Sequence, residues 1–475
     1  MTFTNALNKA IAPQVLELCQ RLHERGHRGW VVGGSVRDVL LSEIAERPSK
    51  PYDWDVATTA TPEEVMRIFR RVIPTGIAHG TVTVLSGKLG IELTTLRGET
   101  TYSDGRHPDQ VTFVQDIRAD LARRDFTVNA IAFDPIDVKI EDPFDGLSDL
   151  RRNQLRAVGD PVQRFGEDGL RVLRAARFAA SLEFTLEPST RAAIRPSLTS
   201  YRKVSAERIH DEWLKSLKAR EPSRAFNIML TEGLLEITSP ELALMSGCTQ
   251  NRYHAYDVWE HSMRVLDNTA QNATLLRLAA LLHDIGKPIT RVHSEVTSDY
   301  TFHQHEVVGA KVADTLLKRL KFSNEDRQLV THLVRHHLVV YEPTWSDSAV
   351  RRFVTRVGTE HWRDIIALAK ADVLGKGQIV DNELKRLDEL VERVENSIAK
   401  GAAFGISDLA VSGNDLLTYL KLSPGPVVGR LLRQLLERVL ENPNQNQRER
   451  LLALAQEILE SGQSQPKGSN SSEAP

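Results

Sequence analysis

The chain has 475 residues, 41% apolar and 26% charged, with 61 basic against 63 acidic side chains for a formal net charge of −2. That length holds three or more cored domains. The charge balance gives no global nucleic-acid signature, and no apolar run approaches the ~18 residues of a membrane span. Cys19 and Cys248, the two cysteines, are far apart and in no metal-ligand spacing. With no basic-then-apolar leader in MTFTNALNKAIAPQ, the expectation is a soluble cytoplasmic protein.

Residues 1–28 carry the period of an amphipathic helix that leads into Val31-Val32-Gly33-Gly34. From 29 to about 150 come short β-rich runs, GWVVGG, YDWDVAT, TVTVLSG, GIELTTL, VTFV and FTVNAIAFD. One helix is predicted among them at about 62–71, with Thr61 as N-cap and Pro62 in first position. Asp53 and Asp55 stand one residue apart, so on a strand both carboxylates face the same way. Paired carboxylates suit a hard cation, and Mg²⁺ held so usually also holds substrate phosphates. Upstream, Gly33-Gly34 lets backbone amides approach an anion closely, with Arg37 following in the same element. The combination reads as a triphosphate-and-metal site. Glu92 is either a third carboxylate of that site or a partner for Arg97. The polar run Tyr102–Asp109 is expected to be a mobile loop that orients substrate. Arg123 and Arg124 precede a strand, where a guanidinium fork matches phosphate oxygens or else forms a surface salt bridge.

After Arg156 the period is almost entirely helical, with helices expected over 164–181 and 203–219. On the first, Asp168, Arg171, Arg174 and Arg177 recur every three residues as a slowly winding polar stripe. Asp168 and Arg171 together offer an acceptor and donors, the pattern with which side chains read base edges; intrahelical ion pairing is the alternative. Residues 151–220 hold 15 Lys/Arg against 8 Asp/Glu, a local surplus suited to a phosphate backbone or to a solvated helical face. Residues 254–390 contain most of the histidines and read as a separate helical domain. Residues 395–462 are helical again, and the last thirteen are polar and expected to be disordered. Within the histidine-rich stretch, His261, His283-Asp284 and Asp372 are residue types that can converge from helices on a divalent metal.

In order, GGSVRD with DWD, RRDFTVNA, DPFDGLSDLRRNQLRAVGDP, RFGEDGLRVLRAARFA and SAERIHDEW resemble the class II tRNA nucleotidyltransferases, the CCA-adding enzymes and bacterial poly(A) polymerases. The resemblance covers about 28–215, and GNDLLTYLKLSPGPVVGRLLRQLLE is similar to that family's tail. It implies an α+β fold: a mixed-sheet nucleotidyltransferase head (1–155), helical neck and body (156–250), HD domain (251–390) and helical tail (391–462). Asp53 and Asp55 would hold catalytic Mg²⁺, with Glu92 counted among the catalytic carboxylates. Gly33, Gly34, Arg37 and Arg124 would contact nucleotide phosphates or sugar. Asp168 and Arg171 would pair with the base of incoming CTP or ATP, and Arg174 and Arg177 would complete the pocket. The implied reaction transfers CMP or AMP to a tRNA 3′ hydroxyl with release of pyrophosphate.

The histidine-rich stretch resembles the HD phosphohydrolases. Their ligands map to His261, His283, Asp284 and Asp372, with His305 and His336 as further candidates for a second divalent metal or its phosphate ligand. Three alternatives follow. A poly(A) polymerase is disfavoured by the short polar C-terminus, and an A-adding enzyme shares nearly all the motifs. An HD phosphohydrolase or nucleotide-sensing regulator would lack EDGLRVLRAARF.

Overall fold

The computed structural model describes residues 3–45, 53–77, 80–98 and 112–463. The expected loop at Tyr102–Asp109 lies outside them, as do residues 464–475 of the expected disordered end. Gln463, assigned to that end, instead closes a helix, Arg448–Gln463.

The N-terminal pattern divides into two helices, Phe3–Ala10 and Pro13–Glu24. Pro13 fixes its own φ and disfavours α backbone in the residue before it, so Ala12 is extended at φ −63°, ψ 137°. The head is an α+β layer built on seven strands: β1 Gly29–Val32, β2 Asp55–Thr58, β3 Val72–Gly76, β4 Thr81–Ser86, β5 Leu89–Thr95, β6 Ala132–Asp134 and β7 Lys139–Glu141. Their order is β3-β4-β5-β2-β1-β6-β7. The β2–β5 pair is parallel and its neighbours in the sheet are antiparallel. Trp30 and Val32 of β1 pack with Ala57, Leu96, Leu121 and Ala132 in a buried cluster. Beside the sheet, Pro62–Ile68 opens on a reciprocal capping box between Thr61 and Glu64 and stops three residues short of the predicted end.

Two predicted strands resolve differently. VTFV contributes only an isolated bridge between Phe113 and Arg97. FTVNAIAFD begins as a 3₁₀ turn, Thr127–Asn129, and only then becomes β6. The Thr127 hydroxyl donates to Asp149 at 2.6 Å, and a Cβ on Gly146 would lie 2.3 Å from the Thr127 carbonyl oxygen. The turn is therefore pressed onto the helix Gly146–Arg151, a long-range contact that local β propensity does not register.

The single helix predicted over 164–181 is two, Pro161–Glu167 and Leu170–Ser181, and Arg171, Arg174 and Arg177 of the stripe all lie on the second. Asp168 separates the two helices with extended backbone, φ −141° and ψ 106°. Gly169 supports the break, since a Cβ there would meet the Ser200 carbonyl oxygen at 2.2 Å. The helix predicted over 203–219 is Ala206–Leu217. Among the described residues beyond Asn153, the only named strands are a short parallel pair, Gln154–Leu155 with Thr185–Leu186, and a hairpin, Val292–Ser294 with Asp299–Thr301.

The chain forms two compact units. One comprises Met1–Leu244 with Ala270–Thr274 and Thr315–Asn324; the other comprises Met245–Thr269, Leu275–Asp314 and Glu325–Pro475. In the second, small residues set the helix crossings. A Cβ on Gly375 would lie 2.6 Å from Val265, so Trp362–Gly375 packs tightly against Val258–Asp267. A Cβ on Gly286 would lie 2.2 Å from the His305 carbonyl oxygen, which seats the start of His305–Arg319. Its C-terminal helices Gly413–Leu420, Pro426–Glu441 and Arg448–Gln463 share a core that includes Leu416, Leu435, Leu440 and Leu451. Among the described residues, no helix is long and apolar enough to cross a membrane.

Candidate active site

A cleft of about 890 Å³ in the first unit brings together Gly33, Gly34, Arg37, Asp53, Asp55, Glu92, Arg124, Asp168, Arg171, Arg174 and Arg177. Each candidate predicted in the head lines it. The floor begins where β1 gives way to the helix Gly34–Ile44. Gly33 makes that turn at φ 78°, ψ −141°, backbone that L side chains rarely adopt. The first amides of the helix have no intrahelical acceptor, and Gly34 and Ser35 border the cleft, as an anion site at a helix start requires.

The two acids do not share a strand as expected. β2 starts at Asp55, and Asp53 precedes it on irregular backbone, yet both border the cleft. Glu92 joins them because the parallel register sets Asp55 directly opposite Glu92. Loss of hydration in the cleft, then the charges of Glu92 and Asp53, push the Asp55 carboxyl up to about 6 against the pull of Arg124. Clustered oxygen donors with mutual repulsion fit a hard divalent cation such as Mg²⁺.

Opposite the acids, a polar network fixes the arginines. Arg37 donates to Asn129 Oδ1 at 2.7 Å, and Asn129 donates to Asp125 Oδ1 at 3.0 Å. Asp125 Oδ2 accepts from Arg174 Nε at 2.8 Å. Burial opposes ionisation of Asp125, but Arg174 and Asn129 outweigh it and hold the carboxyl down at about 2. Arg177 pairs with the buried Glu212 and lies 3.6 Å over the Phe178 ring. Arg124 reaches Asp120 at 3.3 Å, and Arg171 donates to Glu167 at 2.6 Å. Asp168 pairs not with Arg171 but with Arg208, at 3.1 and 2.7 Å.

The second unit gathers His261, His283, Asp284 and Asp372. His261 Nε2 lies 2.9 Å from Asp372 Oδ1 and 3.2 Å from His283 Nε2; His283 Nε2 is 3.1 Å from Asp284 Oδ2. His305 and His337 complete the cluster, with Nε2 atoms 3.3 and 3.9 Å from Asp284 Oδ1. His336, the predicted sixth candidate, is elsewhere: its ring lies tilted against that of His332, with centroids 4.6 Å apart. Helix Asn324–His336 ends at that residue, and the turn beyond it carries His337 inward. His283, His305 and His337 each direct Nδ1 at a carbonyl oxygen three residues back, at 2.8 Å. Donation there leaves each Nε2 lone pair for a metal. Asp284 Oδ2 has the Lys287 ammonium at 2.7 Å, while Asp284 Oδ1 and His305 Nε2 are buried without a well-formed hydrogen bond, which fits a cation beside them. Burial opposes the charge on Asp284, but His283 and Lys287 hold it well below the usual carboxylate range; burial and His283 hold His337 at about 3. A cleft of about 430 Å³ reaches Asp284, His305, His337, Asp372 and Lys287.

Residues 29–156 match the family model described as the poly A polymerase head domain, and 183–245 match the probable RNA and SrmB-binding site of polymerase A. Residues 252–390 match the HD domain. The CCA-adding enzyme of Levilactobacillus brevis is 34% identical over 91% of this chain and 95% of its own. The chain belongs to the CCA-adding enzyme family. That of Streptococcus suis is 31% identical over 94% of this chain and 97% of its own. The crystal structure of the Bacillus stearothermophilus CCA-adding enzyme in complex with CTP superposes with a TM-score of 0.70 at 27% identity, covering 95% of this chain and 99% of that one. The Thermotoga maritima CCA-adding enzyme complexed with tRNA_CCA shares the fold, with a TM-score of 0.60 at 18% identity over 97% and 99%.

Among the cleft residues to which the sequence assigned no role are Asp125, Asn129, Arg208 and Lys215. The first two stand within RRDFTVNA and Arg208 within SAERIH, so the motifs were visible while the partners were not. In the HD cluster, His337 and the neighbouring His254, whose ring lies 5.0 Å from that of His261, carried no spacing signal.

Proposed function

We propose that the chain adds CMP and AMP to the tRNA 3′ end, building or repairing the CCA terminus in the cytoplasm. One observation carries this reading: three carboxylates, a glycine turn at a helix start, and Asp168 with Arg171 line a single cleft. Asp53 and Asp55, with Glu92 beside them, would hold Mg²⁺, which when bound supplies charge stabilisation to phosphoryl transfer. The amides after Gly33, with Arg37 and Arg124, bind and orient the triphosphate. Asp168 and Arg171 read the base, and Arg174 and Arg177 close the pocket around it. Positioning and charge neutralisation then account for most of the rate, with no covalent nucleophile. The domain division that goes with this reading is a head to 155, neck and body to 250, HD domain to 390 and tail to 462.

Labelled CTP and ATP, supplied to tRNAs lacking CCA, ending in one C and ending in CC, test the proposal. Ordered incorporation of both nucleotides is expected. ATP use on the CC end alone would make this an A-adding enzyme, and no incorporation on any end would overturn the reading.

The six-residue histidine and aspartate cluster favours a second activity, metal-dependent hydrolysis of phosphate-bearing RNA ends. Hydrolysis of a 2′,3′-cyclic phosphate across Mg²⁺, Mn²⁺, Co²⁺ and Ni²⁺ tests it; no turnover with any ion sinks it.

A further inference from the structure

Asp168 lies in the break between two helices, and its acceptors can be counted. An ionised carboxylate offers about four lone-pair sites. Arg208 Nη1 takes one on Oδ1 at 3.1 Å, and Nη2 takes one on Oδ2 at 2.7 Å. The Leu170 amide takes the second site on Oδ1 at 3.0 Å. One site is left, on Oδ2. Arg171, across the same cleft wall, is similarly committed. Its Nη1 donates to Arg164 O at 2.8 Å and Glu167 Oε2 at 2.6 Å, and its Nη2 donates to Arg123 O at 2.8 Å. Of five guanidinium N–H groups, these bonds use about three.

We infer that Arg208 is a positioning residue for base selection. By saturating three of the four acceptor sites together with the Leu170 amide, it reduces Asp168 to a single-acceptor reader that faces the base in one orientation. Cytosine and adenine carry an exocyclic amino donor, where uracil and guanine carry a carbonyl acceptor. One fixed acceptor beside the remaining Arg171 donors accommodates the first pair. Against uracil or guanine it sets oxygen against oxygen, with polar groups left unmatched once the base fills the pocket. The Arg208 fork holds both carboxylate oxygens at once and stops the group from rotating. The inference rests on the assignment of Asp168 and Arg171 as base readers.

The test is Arg208→Gln and Arg208→Lys in the full chain, with kcat and KM for all four nucleoside triphosphates and sequencing of the extended tRNA ends. With Arg208→Gln, KM for CTP and ATP is expected to rise on the order of tenfold with a smaller change in kcat. UTP and GTP incorporation relative to CTP and ATP is expected to rise by a similar factor. Lysine can hold only one oxygen, so Arg208→Lys should fall between, and it carries the comparison should the glutamine variant fail to fold. If all four nucleotides decline together at unchanged ratios, Arg208 only supports the fold and the inference is overturned. Asp168→Ala separates the two levels. If it leaves base choice intact, the base-reading assignment fails; if it shifts base choice while the Arg208 variants do not, only the role of Arg208 fails.

Discussion

Asp55 on β2 stands opposite Glu92 on β5 across the parallel pairing of the seven-stranded sheet. Two acids 37 residues apart in sequence are thereby set side by side, and their repulsion is part of what lifts the Asp55 carboxyl to about 6. A cation held there would relieve that repulsion, and the consequences are measurable.

Asp53→Ala or Asp55→Ala should lower nucleotide transfer by on the order of a thousandfold, as when a group that stabilises developing charge is removed. Without added metal neither variant should lower the unfolding temperature, and Asp55→Ala should raise it at neutral pH by removing a charge that its surroundings disfavour. Single-turnover incorporation beside circular-dichroism melts checks both halves, and near-normal transfer by Asp53→Ala would remove the metal role.

The pH dependence has a defined sign. Asp55 binds its proton up to about 6 in the fold but only to its ordinary 3.8 when unfolded. Without metal, its contribution to stability therefore falls as pH rises through that window. Mg²⁺ needs the ionised carboxylate, so the Mg²⁺-dependent rise in Tm should be full near pH 8 and fade below pH 6. Melts with Mg²⁺ or EDTA across this range, with Asp55→Asn as control, give the result. A Mg²⁺ effect that is flat with pH in the parent chain contradicts the assignment.

Asp125→Ala should destabilise the first unit by about 3 kcal/mol, because it leaves the partly buried Arg174 guanidinium with only the more distant Glu212, at 3.8 Å. The pair's contribution is complete above the ordinary carboxylate value of 3.8 and is lost as pH falls through about 2. Urea unfolding of Asp125→Ala against Asp125→Asn, which keeps a hydrogen-bonding side chain, measures the cost.

In the HD cluster, His337→Ala should weaken binding of a transition metal by roughly ten- to a hundredfold. His336→Ala should leave it unchanged, since that ring lies against His332. Titration with Ni²⁺ or Mn²⁺ followed by calorimetry separates the two, and an equal loss in both variants would contradict the ligand geometry.

Gly33→Ala should cost about 1–3 kcal/mol in backbone strain at φ 78°. Space is not the obstacle, because the added methyl would meet Asp55 Oδ2 at 3.4 Å and Arg124 at 3.5 Å, ordinary contact. The same turn aims the helix-start amides, so KM for nucleotide should rise along with the drop in Tm. Steady-state kinetics at a temperature where the variant is folded isolates the binding effect.

Residue types and their order determined much of this protein. Gly33-Gly34 with Asp53 and Asp55 pointed to phosphate and metal, and the ordered motifs through SAERIHDEW pointed to the family. The local rules behind these readings act over a few residues, as in the Thr61 capping box, where donor and acceptor are neighbours in the chain. What the chain alone left open depended on contacts between distant segments. Glu92 stayed ambiguous until strand register set it opposite Asp55. The helix over 164–181 looked continuous until Gly169 met Ser200, which turned Asp168 toward Arg208. His336 was the candidate by sequence, yet its neighbour His337 joins the cluster, because the helix ends between them. Side-chain chemistry is written residue by residue, whereas partnership is a property of packed surfaces, and only the tertiary structure decides which surfaces meet.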